Sequence, residues 1–353
     1  MLTYQSPQRA LLSVESLMRA RVQTTLRRGQ DGAEWLAYLL EDAQAGSRFE
    51  VWPARGFLAA SWQVTHPTTG RVCELIWTDP ARPLIQQGIP ILFPFPNRLR
   101  AGQFTWQGRS WSLPCNDPSG RHAIHGLVRD QNWRVARAGL TPDEQAEAVG
   151  HLASADLPPP LAGLWPAQYL VEVGYRIAGT QLEAFLAVTN TDTERLPFGF
   201  GLHPYWNFPA ASTRIELAAS GAEEWQLEDL IPTGTLLPLA INTNLLSPGG
   251  GLRLGDRDFD QLYRVAPPHQ VRRIRWALHS PERGGALSMT TSPSFRDFVV
   301  FTPPHRAAVC VEPYTCVTDA INLHGTIWDK ARLIVLDPGS TWRGWVRWEW
   351  NWT

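Results

Sequence analysis

The fold is decided by the stretch "QYLVEVGYRIAGTQLEAFLAVTN", residues 168–190. Its first half alternates between two sets of residues, Tyr169, Val171, Val173 and Tyr175 against Leu170, Glu172, Gly174 and Arg176. Alternation with a period of two is typical of a β-strand, because successive side chains of a strand point to opposite faces. The second half repeats this period after "AGTQ", so the stretch predicts a β-hairpin.

The same period recurs elsewhere in the chain. Residues 102–113, "GQFTWQGRSWSL", place two short aromatic strands around a predicted turn at Gln107-Gly108. The C-terminal "WVRWEWNW", residues 345–352, puts four apolar side chains on one face, Val346, Trp348, Trp350 and Trp352. With 28 Gly and 29 Pro spread through 353 residues, the composition is typical of short strands joined by turns. The predicted fold is mostly β, a sandwich or a barrel.

Two segments interrupt this pattern. In "DGAEWLAYLLEDA", residues 31–43, four apolar residues fall on one helical stripe behind a possible Asp31 cap, which predicts a helix, although a strand stays open. We place it in an N-terminal extension, residues 1–48, packed on a main domain, residues 49–353. Residues 140–163 are polar and then Pro-rich, and they predict a surface excursion with at most a short helix.

Composition and charge exclude several classes of function. The net charge is −1 and the 32 basic residues are scattered, so we expect neither nucleic acid nor a membrane surface as a partner. The start of the chain lacks the apolar run of a signal peptide, which indicates the cytoplasm. The four cysteines form no CxxC pair, and we expect reduced, mostly buried thiols. A monomer and a homodimer both stay open.

Several polar residues stand inside apolar runs. Asn97 and Arg98 follow "IPILFPFP", and a guanidinium in apolar surroundings needs partners for its five donors, such as sugar hydroxyls or a carboxylate. His125 precedes Gly126, which lets a ligand or another backbone approach closely. Each of these residues also has a structural interpretation, as a surface loop or a satisfied core group.

Two further stretches carry candidates for proton transfer. In "GFGLHPYWNF", residues 199–208, His203 is followed by Tyr205 and Trp206, whose flat rings suit stacking on a sugar or packing in a core. In "AAVCVE", residues 307–312, Cys310 and Glu312 share one face of a predicted strand. A carboxylate there is costly to desolvate, and burial raises its pKa toward the range of a general base. Glu312 is therefore the best single candidate for a base.

Together these motifs resemble the aldose 1-epimerase (galactose mutarotase) family. The resemblance covers about residues 50–350 and rests on four motifs in order, Asn97-Arg98, His125-Gly126, His203-Pro204-Tyr205 and Glu312. It departs from the family in three places. Trp206 stands where many members have Phe, "LVRDQNW" differs from the usual segment after His-Gly, and "EPYTCVTDAIN" is one residue longer than the usual form.

The resemblance implies a large antiparallel β-sandwich, the supersandwich of galactose mutarotases, with a sugar site on one sheet. The implied activity interconverts the α and β anomers of an aldose without cofactor or metal, with His203 as acid and Glu312 as base. A neighbouring carboxylate is expected to keep a usable fraction of His203 protonated at neutral pH. The implied sugar-binding residues are Arg98, His125, Asn97, Tyr205, Trp206 and one of Asp256, Asp258 and Asp260, of which Asp260 fits best.

Three rival functions stay open. A hexose-6-phosphate 1-epimerase would need a cationic corner, and Arg100, Arg121 and Arg129 flank the motifs. A carbohydrate-binding protein without turnover would use the aromatic residues alone. A retaining glycosidase using Asp260 and Glu312 would need the two carboxyl groups about 5–5.5 Å apart.

Overall fold

The computed structural model describes residues 19–218, 222–239, 251–265, 275–324 and 329–353. Within these ranges the chain forms strands almost throughout, which confirms the mostly β prediction. The described α-helix, α1 (Ala320–Leu323), has four residues, and no helix in the described ranges has the length and apolar character to cross a membrane. Short 3-10 helices cover Pro53–Arg55, Leu84–Gln86, Arg100–Gly102, Ser154–Asp156 and Asp329–Ala331.

The strands are, in chain order, β1 (Ala20–Arg28), β2 (Glu34–Asp42), β3 (Ser47–Trp52), β4 (Leu58–Thr65), β5 (Val72–Glu74), β6 (Ile91–Leu92), β7 (Arg98–Leu99), β8 (Gln103–Trp106), β9 (Arg109–Ser112), β10 (Ala123–Ile124), β11 (Arg134–Leu140), β12 (Ala146–Ala153), β13 (Tyr169–Ala178), β14 (Gln181–Asn190), β15 (Leu196–Phe198), β16 (Gly201–Leu202), β17 (Tyr205–Trp206), β18 (Arg214–Ala218), β19 (Ala222–Glu228), β20 (Ile231–Pro238), β21 (Leu252–Arg253), β22 (Asp260–Val265), β23 (Arg275–Ser280), β24 (Gly285–Thr291), β25 (Asp297–Phe301), β26 (Val309–Tyr314), β27 (Ile334–Leu336) and β28 (Thr341–Trp352).

Three antiparallel sheets hold most of these strands. The largest has nine strands in the order β11-β12-β13-β14-β28-β24-β23-β18-β21. The second runs β20-β19-β22-β25-β26-β16-β6, with β17 paired to β26, and the third runs β1-β2-β3-β4-β5. Three two-stranded sheets complete the fold, β10-β7, β15-β27 and β8-β9. This arrangement confirms the predicted large antiparallel β-sandwich.

Buried aromatic rings join the three sheets. Trp206 of the second sheet packs on Trp348 of the largest sheet with ring centroids 5.5 Å apart, and on Trp62 of the third at 6.5 Å. Phe49 of the third sheet meets Tyr175 of the largest at 5.0 Å. Aromatic pairs of this kind contribute about 0.5–1.5 kcal/mol beyond the area that they bury. The apolar faces of the sheets therefore meet in one shared core.

The two predicted hairpins are confirmed. β13 and β14 pair from Tyr169↔Asn190 to Ala178↔Gln181, and Gly179 in their turn has a φ of 60°. β8 and β9 turn at Gln107 and Gly108, whose φ values of 48° and 77° match the positive φ that a two-residue hairpin turn requires. In β28 the side chains of alternate residues are buried, as the period of two predicts.

The helix predicted over residues 31–43 is wrong, because this segment forms β2. Each residue of β2 pairs with β1, and Leu40 lies between Val22 and Phe49 of the neighbouring strands. Glu41 forms ion pairs with Arg21 and Arg48 on the two sides. These cross-strand partners are distant in sequence, and they outweigh the weak helical preference of the segment.

The surface excursion predicted over residues 140–163 is also partly wrong. Its centre, β12 (Ala146–Ala153), is a mostly buried strand between β11 and β13. Residues 19–48 of the predicted N-terminal extension form β1, β2 and the start of β3, while residues 1–18 lie outside the described residues. The division of the chain at residue 48 stays a prediction.

A buried ion pair ties β22 to β25. The guanidinium of Arg264 donates to both carboxylate oxygens of Asp297, at 2.9 and 2.7 Å, and the side chain of Asp297 is fully buried. Trp225 Nε1 donates to the same carboxylate at 3.1 Å, and its ring lies 4.7 Å from the guanidinium. Because β22 begins at Asp260, this pair also fixes the strand that brings Asp260 to the candidate site.

Replacement of Arg264 by Leu should destabilise the fold strongly. The substitution leaves the carboxylate of Asp297 buried without its ion-pair partner, which typically costs about 3–5 kcal/mol. The matched control is Arg195→Leu, since Arg195 pairs with Asp337 where both side chains are exposed, and its loss should cost less than about 1 kcal/mol. Urea unfolding measures both. Equal, small losses would show that the buried pair does not hold the two strands.

Candidate active site

His203 and Glu312 meet at the centre of a buried group of polar side chains. Strand β26 pairs with β17 through Cys310↔Tyr205 and with β16 through Tyr314↔Gly201. His203 lies in the link between β16 and β17, and this register brings it opposite Glu312. His203 Nε2 is 3.4 Å from Glu312 Oε1, and the two side chains are 7% and 2% exposed.

The imidazole of His203 is held in a fixed orientation. Its ring stacks on Tyr205 with centroids 4.6 Å apart and an interplanar angle of 7°. The hydroxyl of Tyr205 is 3.4 Å from Nε2, and Phe301 meets the ring edge-on at 6.2 Å. The backbone N–H of His203 donates to the carbonyl of Pro90 at 3.0 Å. Tyr205 therefore restricts the orientations that the imidazole of His203 can adopt.

The carboxyl group of Glu312 has a strongly shifted pKa. Burial raises this pKa well above its usual range, and the charge of Asp260 raises it further. A hydrogen bond from the Tyr314 hydroxyl to Oε2 and the charge of Arg98 act in the opposite direction. Burial also raises the pKa of Asp260, against the charge of Arg98. Glu312 is consequently protonated over a wider range of pH than an exposed glutamate.

The protonation expected for His203 is not what the structure supports. The sequence argument assumed that a nearby carboxylate would favour the imidazolium. Instead, burial, with a smaller contribution from the charge of Arg129, lowers the pKa of His203 to about 3. Because Glu312 itself is pushed toward its neutral form, it supplies no full negative charge to hold a proton on His203. Burial thus favours the neutral form of both groups.

His125 reaches the same group from a tightly folded loop. Its φ is 64°, and the adjacent Gly126 and the facing Asn97 have φ values of 70° and 56°. The backbone N–H of His125 donates to the carbonyl of Asn97 at 2.9 Å. A Cβ on Gly126 would lie 2.1 Å from the carbonyl oxygen of Phe93, so only glycine fits there.

The ring of His125 lies edge-on to that of His203, with centroids 5.3 Å apart. Burial lowers the pKa of His125 well below its usual range, and the charges of His203, Arg129 and Arg98 add to the effect. His125 is therefore neutral near pH 7. A neutral imidazole can both donate and accept a hydrogen bond, which suits a sugar hydroxyl.

Arg98 is positioned by its neighbours on both sides. Asn97 Oδ1 accepts from the backbone N–H of Arg98 at 2.8 Å and from its Nη1 at 3.2 Å. The Nε of Arg98 is 3.5 Å from a carboxylate oxygen of Asp117, and both side chains are largely buried. Sequence reasoning anticipated that a carboxylate was one possible partner for this guanidinium, but it did not identify Asp117.

Asp117 stays ionised despite its burial. Burial alone would raise its pKa, but the backbone N–H groups of His122 and Arg121, the hydroxyl of Ser119 and the charge of Arg98 hold the pKa at about 2. The available signal was the turn sequence "NDPSG", where an Asp commonly caps its own backbone. Arg98 thus faces the site as one half of a neutral ion pair.

The three candidate aspartates separate clearly. Asp260 lies close enough to Glu312, Tyr314 and Cys310 for its charge to raise their pKa values. Asp258 is 91% exposed and pairs with Arg306, and Asp256 is exposed.

The structure does not bring Trp206 to the site. Consecutive strand residues face opposite ways, and with Tyr205 turned toward His203, the ring of Trp206 packs in the core between sheets. Sequence reasoning missed Tyr314, which shares a face of β26 with Glu312 and Cys310. The signal was the same alternation that paired Cys310 with Glu312.

The arginines considered for phosphate recognition have other partners. Arg100 pairs with Asp319 and Arg121 with Asp229, and both arginine side chains are more than half exposed. Arg129 donates to the carbonyl of Ile124 at 2.8 Å and is the one of the three whose charge acts on His203. In the described part of the chain, no group of three or more His, Cys, Asp and Glu residues is arranged to hold a metal ion.

Comparison with known proteins gives consistent results. The sequence matches the family described as aldose 1-epimerase over residues 59–349. The chain is 33% identical over 116 residues to the uncharacterized protein YihR of Escherichia coli, a match that covers 33% of this chain and 34% of YihR. It is 31% identical over 170 residues to the uncharacterized protein YphB of the same organism, which covers 44% of this chain and 53% of YphB. These matches span about a third and a half of the two relatives.

Two solved structures show the same fold. A galactose mutarotase-like protein from Clostridium acetobutylicum superposes with a TM-score of 0.80 at 15% identity, covering 94% of this chain and 99% of that one. Galactose 1-epimerase from Lactobacillus acidophilus superposes with a TM-score of 0.70 at 16% identity, covering 94% and 98%. With the family match extending over most of the sequence, the chain belongs to the aldose 1-epimerase family.

Proposed function

We propose that this protein interconverts the α and β anomers of an aldose, with His203 and Glu312 as the acid–base pair. The observation that carries the proposal is the 3.4 Å contact between Nε2 of His203 and Oε1 of Glu312 in a buried group of polar side chains. Arg98, His125 and Asp260 surround this pair and offer hydrogen bonds to a sugar. The C1–O5 bond breaks and reforms with proton transfers as the only help from the protein, so the proposed reaction needs no cofactor.

In the ring-opening step, Glu312 accepts the proton of the anomeric O1 hydroxyl while His203 donates a proton to the ring oxygen O5. The C1–O5 bond breaks and C1 becomes the carbon of a free aldehyde. Rotation about C1–C2 presents the other face of this carbon to the O5 hydroxyl. Closure then returns the proton from O5 to His203 and the proton from Glu312 to O1. The pair ends each cycle as it began.

This mechanism requires the pair to rearrange its single proton. Burial favours neutral imidazole and a neutral carboxyl group, whereas ring opening uses imidazolium and carboxylate. Since Oε1 and Nε2 are in direct contact, the proton has only one short transfer to make. The charged form is the less stable one in a buried site, and its formation contributes to the barrier. Groups that stabilise the Glu312 carboxylate should therefore speed the reaction.

The surroundings favour an uncharged aldose over a sugar phosphate. Arg98 is neutralised by Asp117, and Arg100 and Arg121 each have a carboxylate partner away from the pair. Asp260 adds negative charge beside Glu312, which would oppose a phosphate. We propose that Arg98 donates hydrogen bonds to sugar hydroxyls, that Asp260 accepts one, and that His125 can do either. Asn97 and Tyr205 hold Arg98 and His203 in place.

Polarimetry of freshly dissolved α-glucose, α-galactose and glucose 6-phosphate tests the activity. Glu312→Gln and His203→Asn should each lower kcat/KM about 10²- to 10⁴-fold, the usual effect of a positioned acid or base. Glu349→Gln, on the exposed face of β28, serves as the matched control. If the wild-type protein accelerates no aldose and only binds sugars, a carbohydrate-binding role replaces this proposal. Faster reaction of the phosphate would shift the substrate class.

Asp260→Asn should lower kcat/KM for the same sugar about 10- to 100-fold, because a hydrogen bond to a charged group typically contributes about 1.5–3 kcal/mol. Asp258→Asn changes the same side chain two residues away at an exposed position, and it should leave kcat/KM unchanged. Steady-state kinetics on both variants decide the matter. Equal effects of the two substitutions would contradict the placement of Asp260 against the substrate.

The pH profile of kcat/KM should be flat through neutral pH. The pKa of His203 is lowered to about 3 and that of Glu312 is raised well above its usual range, so the pair holds one proton between these two values. Activity should fall toward pH 3, where the pair takes up a second proton, and at high pH, where it loses its only one. A decline centred near pH ~6.5, the ordinary value of histidine, would show that His203 is not buried in this way.

A further inference from the structure

Tyr314 contacts the carboxylate of Glu312 from the side opposite to His203. The two residues are two apart on β26, so their side chains share one face of the strand. The hydroxyl of Tyr314 donates to Oε2 of Glu312, while Oε1 faces Nε2 of His203. Tyr314 is fully buried. Each carboxylate oxygen thus has its own partner within the protein.

The backbone of the neighbouring strand makes room for the Tyr314 ring. Gly201 of β16 lies directly opposite Tyr314 in the sheet. A Cβ on Gly201 would come within 2.6 Å of the ring, so the ring occupies the space of a missing side chain. Burial raises the pKa of Tyr314 well above its usual range, and the charge of Glu312 raises it further. The phenol therefore stays protonated and remains a donor.

A hydroxyl donor stabilises a carboxylate more than a neutral carboxyl group, because the hydrogen bond to the charged form is stronger. The contact consequently has two effects on Glu312. It fixes the rotation of the carboxylate so that Oε1 points to the reacting atoms, and it lowers the free energy of the ionised form. Neither effect requires Tyr314 to touch the sugar.

We propose that Tyr314 is a positioning residue that orients the Glu312 carboxylate and stabilises its ionised form through the hydroxyl on Oε2. This inference rests on the proposed function, since the form that it favours is the one that ring opening uses. Part of the rate enhancement that would otherwise be attributed to Glu312 alone is then due to the phenol of Tyr314.

The proposal links two measurable quantities. Loss of the hydroxyl destabilises the Glu312 carboxylate both in the charge-separated pair, which reacts, and in the fully deprotonated pair, which forms at high pH. The plateau of kcat/KM should therefore fall, and the alkaline limb of the pH profile should move to higher pH by the same amount on a logarithmic scale. The acid limb should not move, because Glu312 is neutral on both sides of it.

Tyr314→Phe tests this prediction, since it removes the hydroxyl and keeps the ring. We expect the plateau of kcat/KM to fall about 10- to 100-fold with KM little changed, because a hydrogen bond to a charged group typically contributes this much. Tyr175→Phe is the matched control, because Tyr175 is equally buried and its hydroxyl has no partner among the described residues. That control should leave both limbs and the plateau unchanged.

A double substitution separates positioning from packing. In a Glu312→Gln background the carboxylate is gone, so Tyr314→Phe should cause little further loss if it acts through Glu312. Infrared difference spectra give a readout that does not depend on turnover. The band of the protonated Glu312 carboxyl group, assigned by its absence in Glu312→Gln, should persist to higher pH in Tyr314→Phe than in the wild type.

The outcomes are distinct. An active wild type with an unchanged plateau, alkaline limb and infrared titration in Tyr314→Phe overturns the inference. The inference is also overturned if Tyr314→Phe lowers kcat/KM without moving either limb of the pH profile and causes the same loss in the Glu312→Gln background. Tyr314 would then act by packing and not through Glu312. If the wild type turns over no sugar while the infrared titration shifts as expected, the effect on Glu312 stands and the proposed function fails.

Discussion

The contact between His203 and Glu312 is the constraint on which the site depends. Two titratable groups lie 3.4 Å apart with little solvent exposure, so an isolated charge on either one is unfavourable, since desolvation disfavours ionised forms. Burial pushes both groups toward their neutral forms, since it lowers the pKa of His203 and raises that of Glu312. Around the pair, Arg98 is balanced by Asp117, so this guanidinium brings its own counter-charge.

The backbone holds the side chains of the site at the positions that this contact requires. His203 lies between two short strands that both pair with β26, so its distance from Glu312 is set by sheet hydrogen bonds and not by loop flexibility. His125 is held in the left-handed region beside a glycine that touches the carbonyl of Phe93. A residue held in this conformation is costly unless its surroundings determine it, and such residues commonly occur at functional sites. The loop that carries His125 is therefore part of the sheet framework.

The sequence predicted the strands well and their neighbours poorly. Period-two alternation identified β13, β14 and β28, because it depends only on which face of a strand is buried. It did not identify β2 as a strand, since the partners of Leu40 are Val22 and Phe49 and pairing across a sheet leaves no local mark. Site residues in motifs, such as His203, Glu312, Arg98 and His125, were predicted together. Asp117 was missed because its role depends on meeting Arg98 through a fold that spacing alone does not reveal.

The alternation of side chains along a strand explains why two adjacent aromatic residues have different roles. Tyr205 and Trp206 are adjacent on β17, and a strand turns them to opposite faces. Tyr205 stacks on the imidazole, whereas Trp206 joins Trp62 and Trp348 between the sheets. The same rule places Cys310, Glu312 and Tyr314 together on β26 and directs Val309 and Val311 away from them into the main core. The sheet that forms the core thus also sorts the polar residues, and the face that carries the candidate site and the face that packs in the core are two sides of the same strands.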